Sequence, residues 1–235
     1  MTTFVLVHGA WHGSWCWSRV RKSLTSMGHE VFAPTLTGIG ERSHLLDRNV
    51  GLETHVLDIA NLISWEDLRD VVVVGHSYGG IVIGQAADRM PDRISALVFL
   101  DAYVPEDGKS LSDYLPDRGS EARQMANDYG DGWKVPAKKA ASFGVNAADV
   151  DWVDRKCTMH PLCCFETPAR ITGAYNIIPN IGYIRAARSS NVLDQFYAQA
   201  GERRWWREIV PCGHDVMIDM PDELVALLSR RTSLR

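Results

Sequence analysis

The sequence has no apolar run long enough to cross a bilayer. Its longest, Val71 to Val74 and Ile94 to Leu100, fall far below the ~20 residues of a membrane helix, so no membrane partner is expected. An excess of one charge is also missing, because 25 Lys and Arg stand against 29 Asp and Glu with both signs scattered along the chain. A nucleic-acid partner would need a basic face, so none is expected. Cysteine is scarce and unpatterned: Cys16, Cys157, Cys163, Cys164 and Cys212 are odd in number and lack C-x-x-C spacing. That fits reduced thiols rather than a disulfide set or zinc site. Met1-Thr2-Thr3 leads into Phe4-Val5-Leu6-Val7 with no basic n-region, so the expected location is cytoplasmic. Repeats and low-complexity linkers are absent too.

What is present is an ordinary globular balance, 46% hydrophobic and 23% charged over 235 residues. A chain of this size buries ~70–75% of its unfolded surface and folds without staples. One domain with an insertion is the default reading. Phe4 to Val7, Val31 to Ala33, Val71 to Val74, Ile94 to Leu100, Ile181 to Ile184 and Trp205 to Val210 read as about six strands. Between them lie helical patterns: one entered at Ser14 as N-cap and closed by Gly28, then Glu53 to Trp65, Ile81 to Met90, Val192 to Ala200 and Asp222 to Ser229. Alternation of this kind indicates βαβ units, with a mostly parallel sheet and helices on both faces. It breaks between Asp101 and Pro179, a stretch of Pro, Gly, acidic residues and scattered aromatics. The expected division is therefore a core of 1–102 and 180–235 with a cap insertion at 103–179.

Gly75-His76-Ser77-Tyr78-Gly79 is a G-x-S-x-G sequence between the most strand-like segment and a helix, the context in which that motif exposes a nucleophilic serine on a strained turn. Ser77 is the candidate nucleophile. A serine hydroxyl needs a histidine base, and Cys212-Gly213-His214-Asp215 follows the last strand, so His214 is the choice. His8, His12 and His76 are read as structural, and His29, His44, His55 and His160 as surface or core residues. An oxyanion hole would draw on the backbone N–H of Tyr78, after the nucleophile, and of Ala10, in the glycine-rich turn His8 to Gly13. The adjacent Cys163 and Cys164 are read as two buried apolar residues.

These residues resemble the α/β-hydrolase fold, and within it the group of plant methylesterases, hydroxynitrile lyases and bacterial carboxylesterases that includes pyrethroid hydrolases. The resemblance rests on Phe4 to Gly13, Pro34 to Gly38, Gly75 to Gly80, Val98 to Pro105 and Gly213 to Met217, and covers nearly the whole chain. It implies ester hydrolysis by Ser77 and His214, with the hole at Ala10 and Tyr78. Two departures matter. Where the plant enzymes carry the acid, Tyr183 to Ser190 holds no carboxylate. Asp101, at the end of a strand beside the nucleophile's, is preferred, and Asp194 is the alternative. The similar lyases place a threonine after the first histidine and a lysine after the second, where this chain has Gly9 and Asp215. Without that cation, cyanohydrin cleavage loses its electrostatic support. The reading is a serine carboxylesterase for a mostly apolar small-molecule ester, needing no metal or cofactor. The alternatives are a lyase or carbon–carbon bond hydrolase on the same triad, or a non-catalytic small-molecule receptor. Oligomeric state has no signature in the sequence.

Overall fold

The structure, a computed structural model, describes residues 1–232. The last three residues of the expected core, 233–235, lie outside the described residues. The strands are β1 (Thr3–Val7), β2 (Glu30–Phe32), β3 (Val71–His76), β4 (Ile94–Leu100), β5 (Lys134–Val135), β6 (His160–Pro161), β7 (Asn180–Ala186) and β8 (Trp206–Val210). Six of them form one sheet in the order β2-β1-β3-β4-β7-β8, and every pairing in it is parallel. The helices are α1 (Ser18–Ser26), α2 (Leu52–Trp65), α3 (Gly79–Arg89), α4 (Leu111–Tyr114), α5 (Pro116–Tyr129), α6 (Val150–Lys156), α7 (Cys163–Glu166), α8 (Asp194–Glu202), α9 (Val216–Asp219) and α10 (Pro221–Thr232).

β3 and β4 are buried at every residue, which is why both read as unbroken apolar runs rather than alternating ones. Their side chains still divide by pleat. Val71, Val73, Leu97 and Phe99 join the core containing Val56 and Ile59 of α2 and Phe196 of α8. Val72, Val74, Val98 and Leu100 join the opposite core, with Val20 and Leu24 of α1 and Leu224 and Leu228 of α10. Helices thus cover both faces of the sheet.

Local details differ from the sequence reading. A 3-10 turn occupies Ser14–Trp17 with Gly13 in the N-cap position, and α1 begins only at Ser18. Ser14 is drawn away from capping because its hydroxyl reaches Glu41 at 3.2 Å and its N–H donates to Thr35 Oγ1 at 2.7 Å. Between β4 and β7 the chain builds α4 to α7 and the small antiparallel pair β5–β6. It docks on the core loops through Thr158 N–H to the Trp11 carbonyl and His214 N–H to the Phe143 carbonyl. Cys164 is buried there, but Cys163 is half-buried, with its thiol on the Val50 carbonyl at 3.2 Å. No described helix is long and apolar enough to cross a membrane.

Burial also sets the acid stability. It is the main reason that His8 and His76 are pushed down to about 3 and His55 to about 4, from an ordinary 6.5. With folded values below unfolded ones, the unfolded chain binds more protons below 6.5, so stability falls as pH drops from there toward 4. At pH 5 each ring costs on the order of 2 kcal/mol. Three such rings rival a total stability of ~5–15 kcal/mol. The urea midpoint is predicted to be much lower at pH 5 than at pH 7.5, and an unchanged midpoint would contradict neutral burial of these rings.

Candidate active site

Ser77 follows β3 directly and precedes α3, with φ of 54°. That left-handed conformation is costly for a residue with a side chain, on the order of 1–3 kcal/mol. It is held by three backbone bonds: Ser77 N–H to the Leu100 carbonyl, and the N–H groups of Gly80 and Tyr103 to the Ser77 carbonyl. The flanking glycines are required by space. A Cβ on Gly75 would meet the Gly79 carbonyl oxygen at 2.7 Å, and one on Gly79 would meet the His8 carbonyl oxygen at 2.6 Å.

Asp101 directly follows β4 in a left-handed conformation, φ 42°, and is fully buried. His214 Nδ1 donates to its Oδ2 at 2.6 Å, while Ala186 N–H and Arg185 Nη1 donate to Oδ1 at 3.0 and 2.8 Å. Burial alone would raise the carboxyl, but the His214 and Ala186 hydrogen bonds outweigh it and keep the group ionised below its ordinary range. With Nδ1 as donor, Nε2 of His214 is the acceptor nitrogen. His214 and Ser77 line the same cavity, without a hydrogen bond between them in this structure.

Asp194 lies elsewhere. It opens α8 with its side chain 64% exposed and pairs with Arg185 at 2.8 Å, so that Arg185 stands between the two candidate acids. Sequence reasoning noted Arg185 only as the lack of a carboxylate. The overlooked signal was a cation near the end of an otherwise largely apolar, buried strand, a residue type almost never fully buried unless paired. Here it serves the Ala186 and Ser190 carbonyls and the Ser189 hydroxyl as well as both aspartates.

Ala10 and Tyr78 line the cavity beside Ser77, and neither backbone N–H has a hydrogen-bond acceptor among the described residues. Beneath Tyr78, its buried hydroxyl donates to His55 Nδ1 at 2.9 Å, and His55 Nε2 donates to the Thr37 carbonyl at 2.9 Å. His55, His160 and Cys164 bring ligand-type atoms within 4.8 Å of one another. Because both His55 nitrogens are engaged, the group is a hydrogen-bonded support for the Tyr78 ring rather than an open set of metal donors. The cavity has a volume of about 1070 Å³, and Trp11, Leu111, Met125, Val135, Phe143 and Phe165 form much of its wall. That is ample for a drug-sized apolar molecule.

The profile of the alpha/beta hydrolase family matches residues 4–227. A carbendazim hydrolyzing esterase of Nocardioides sp. is 41% identical over 97% of this chain and 99% of its own. Methylesterase 2 of Arabidopsis thaliana is 39% identical over 46% of this chain and 42% of its own. Among solved structures, an extracellular alpha/beta-hydrolase from a Paenibacillus species superposes with a TM-score of 0.84 at 21% identity, covering 98% of this chain and 99% of that one. A pyrethroid hydrolase from Sphingobium faniae does so with a TM-score of 0.75 at 21% identity over 98% and 97%.

The unequal surroundings of the two aspartates predict unequal costs. Arg185→Ala would leave the Asp101 charge buried without its guanidinium, so a loss of about 3–5 kcal/mol is expected. Asp194→Asn removes an exposed partner and should cost under ~1 kcal/mol. Urea unfolding of the two variants checks this, and equal losses would contradict the assignment of Arg185 to Asp101.

Proposed function

Since the chain belongs to the alpha/beta hydrolase family, we propose that it is a serine carboxylesterase that hydrolyses a mostly apolar small-molecule ester through an acyl-enzyme. The observation that carries this reading is the convergence of Ser77, His214, Ala10 and Tyr78 on one apolar cavity, with the Asp101 carboxylate behind the histidine. Ser77 Oγ attacks the ester carbonyl carbon while His214 Nε2 takes its proton. The developing oxyanion receives the Ala10 and Tyr78 N–H groups. Collapse of the tetrahedral intermediate breaks the bond to the alcohol oxygen, which leaves with the proton from His214. Water, deprotonated by the same nitrogen, then attacks the acyl-Ser77 carbonyl, and the acid product departs as the Ser77 hydroxyl is restored. Asp101 holds the ring in the tautomer that this sequence needs and stabilises the imidazolium that forms twice.

Residues 103–179 act as a cap, since they furnish most of the cavity's apolar wall. Five cysteines, all free, fit a cytoplasmic enzyme, and balanced charge gives no basis for a nucleic-acid partner. The substrate is selected by shape and apolar contact, and carbendazim is a rational first compound beside simple esters because of the 41% identical relative.

The test uses p-nitrophenyl acetate and butyrate, carbendazim, and a serine-reactive phosphonate. Ser77→Ala and His214→Ala are predicted to lower kcat by about 10⁴–10⁶ each, with the double variant little worse, because the groups act in one step. Asp101→Asn should lower kcat by up to about 10⁴ with the fold intact, and Asp194→Asn should have little effect. Turnover that survives Ser77→Ala, or no turnover and no phosphonate labelling in the parent protein, would overturn the reading.

A further inference from the structure

Counting ring protons separates one buried histidine from the rest. Of the five buried among the described residues, His8, His12, His55, His76 and His160, four need only one. His8 Nδ1 donates to the Gly9 carbonyl and Nε2 accepts from Leu36 N–H. His55 donates to the Thr37 carbonyl and accepts from the Tyr78 hydroxyl. His76 Nε2 donates to the His214 carbonyl at 3.0 Å, and its Nδ1 has no partner. His160 Nδ1 accepts from Trp11 N–H, and its Nε2 has none. His12 is different: Nδ1 lies 2.8 Å from the Ala10 carbonyl oxygen and Nε2 lies 3.1 Å from Asp215 Oδ2. Both partners are acceptors. With Asp215 as the carboxylate, the ring can serve them together only as an imidazolium.

This cation sits where it ties two loops of the site together. The peptide planes on either side of Ala10 are both held by histidines: His8 grips the Gly9 carbonyl, in the plane that carries the Ala10 N–H, and His12 grips the Ala10 carbonyl in the next. The following residue, Trp11, has φ of 65°, a strained conformation held also by its N–H on His160 and by Thr158 N–H on its carbonyl. The other end of the tie is Asp215, fully buried and next in the chain to His214. Trp15 stacks on the His12 ring at 5.2 Å and Phe143 packs at 6.0 Å. The remaining titratable neighbours are His8 and His76 beside His12, Glu41 beside Gly13, and His76, His214, Cys16, Cys157 and Cys212 around Asp215.

Resting on the hydrolase reading, we propose that the His12–Asp215 ion pair is a positioning pair that locks the oxyanion loop to the loop carrying His214, so that the hole and the base are set as one unit. Asp215 does not line the cavity, and His12, which does, has both ring nitrogens engaged by Ala10 and Asp215, so the pair acts through the loops that it joins. The pair acts on the transition state, where the Ala10 N–H must meet the oxyanion, and hardly at all on the bound ester. Two carboxylates therefore flank His214 with separate tasks: Asp101 orients the ring, and Asp215 anchors its loop. In keeping with this, burial would lower His12, but the Asp215 charge and hydrogen bond raise it above its ordinary value.

The charge state is tested first on the unaltered protein. Nitrogen-15 NMR of histidine-labelled protein at pH 8 should show one ring protonated on both nitrogens, assigned by its disappearance in His12→Gln. Only neutral rings at pH 8 would overturn the proposal, whether or not any variant folds. Kinetics test the role. Asp215→Ala is expected to lower kcat with p-nitrophenyl butyrate by about 10²–10³, the loss seen when one oxyanion donor is removed, with KM changed less than about threefold. Affinity for a trifluoromethyl ketone, which forms a tetrahedral adduct, should fall in parallel, while affinity for the product butyrate stays. Asp215→Asn should recover most of the loss, because its amide can donate to Nε2 of a neutral ring whose Nδ1–H still reaches Ala10. A lowered melting temperature with kcat and ketone affinity retained would reduce the pair to a structural tie and overturn the proposal. Phosphonate labelling of Ser77 in the parent protein is the control. Its failure would count against the esterase reading, and the NMR result would still decide the ion pair.

Discussion

The site depends on keeping the Asp101 carboxylate ionised where no water reaches it. Withdrawing such a charge from solvent costs several kcal/mol, and an unpaired carboxyl would take up a proton instead. Here the Arg185 guanidinium, the Ala186 N–H and the His214 Nδ1–H supply the lost solvation. The guanidinium's own burial is met by two carbonyls, the Ser189 hydroxyl and exposed Asp194. Asp101, Arg185 and Ala186 come from the neighbouring strand ends of β4 and β7, so the register of the parallel sheet determines how they meet, and His214 joins them from the loop after β8. That register puts Leu100 opposite Ile184, one residue before Asp101 and Arg185.

The same logic is repeated on the far side of His214. Asp215 is buried as deeply as Asp101 and is matched by His12 rather than by an arginine. The imidazole is thus not left as the common counter-ion of two anions, since each carboxylate has a cation of its own. Only one of them reaches the His214 ring by a hydrogen bond, and that bond leaves Nε2 as the acceptor nitrogen. His76 adds a third tie by donating to the His214 carbonyl from the residue just before the nucleophile. The oxyanion loop, the serine turn and the histidine loop are therefore joined by side chains as well as by the sheet.

The strands and the serine turn were legible because each follows from a short-range rule. Strands buried on both faces are almost entirely apolar, and the glycines beside Ser77 stand where backbone oxygens leave no room for a Cβ. Asp101 could be placed at a strand end from sequence, because it follows the apolar run Ile94 to Leu100 directly. Ser14 was misjudged for the opposite reason: its partners, Thr35 and Glu41, are far along the chain. His12 and Asp215 lie 203 positions apart, and Arg185 and Asp101 lie 84 apart. No local pattern relates them. Their charges could be read as unusual, but their pairing is a product of topology.

Where strain is tolerated shows what the scaffold contributes. Trp11, Ser77 and Asp101 all have positive φ, and they follow β1, β3 and β4, the three adjacent strands at the centre of the sheet order. Together such conformations cost a few kcal/mol, a sizeable part of a domain's net stability. A flexible surface loop would relax them. Here they persist because the strands that lead into them are buried on both faces and because interstrand bonds, such as Asp101 N–H to the Ile184 carbonyl at 2.6 Å, fix the first residue beyond the sheet. The inserted segment carries none of this strain at the reacting groups and supplies mainly apolar wall. Its side chains shape the cavity, while the bonds to the Asp101 carboxylate come from β7 and His214, and its tie to the His214 loop is made by a backbone carbonyl, that of Phe143, which depends on no particular side chain.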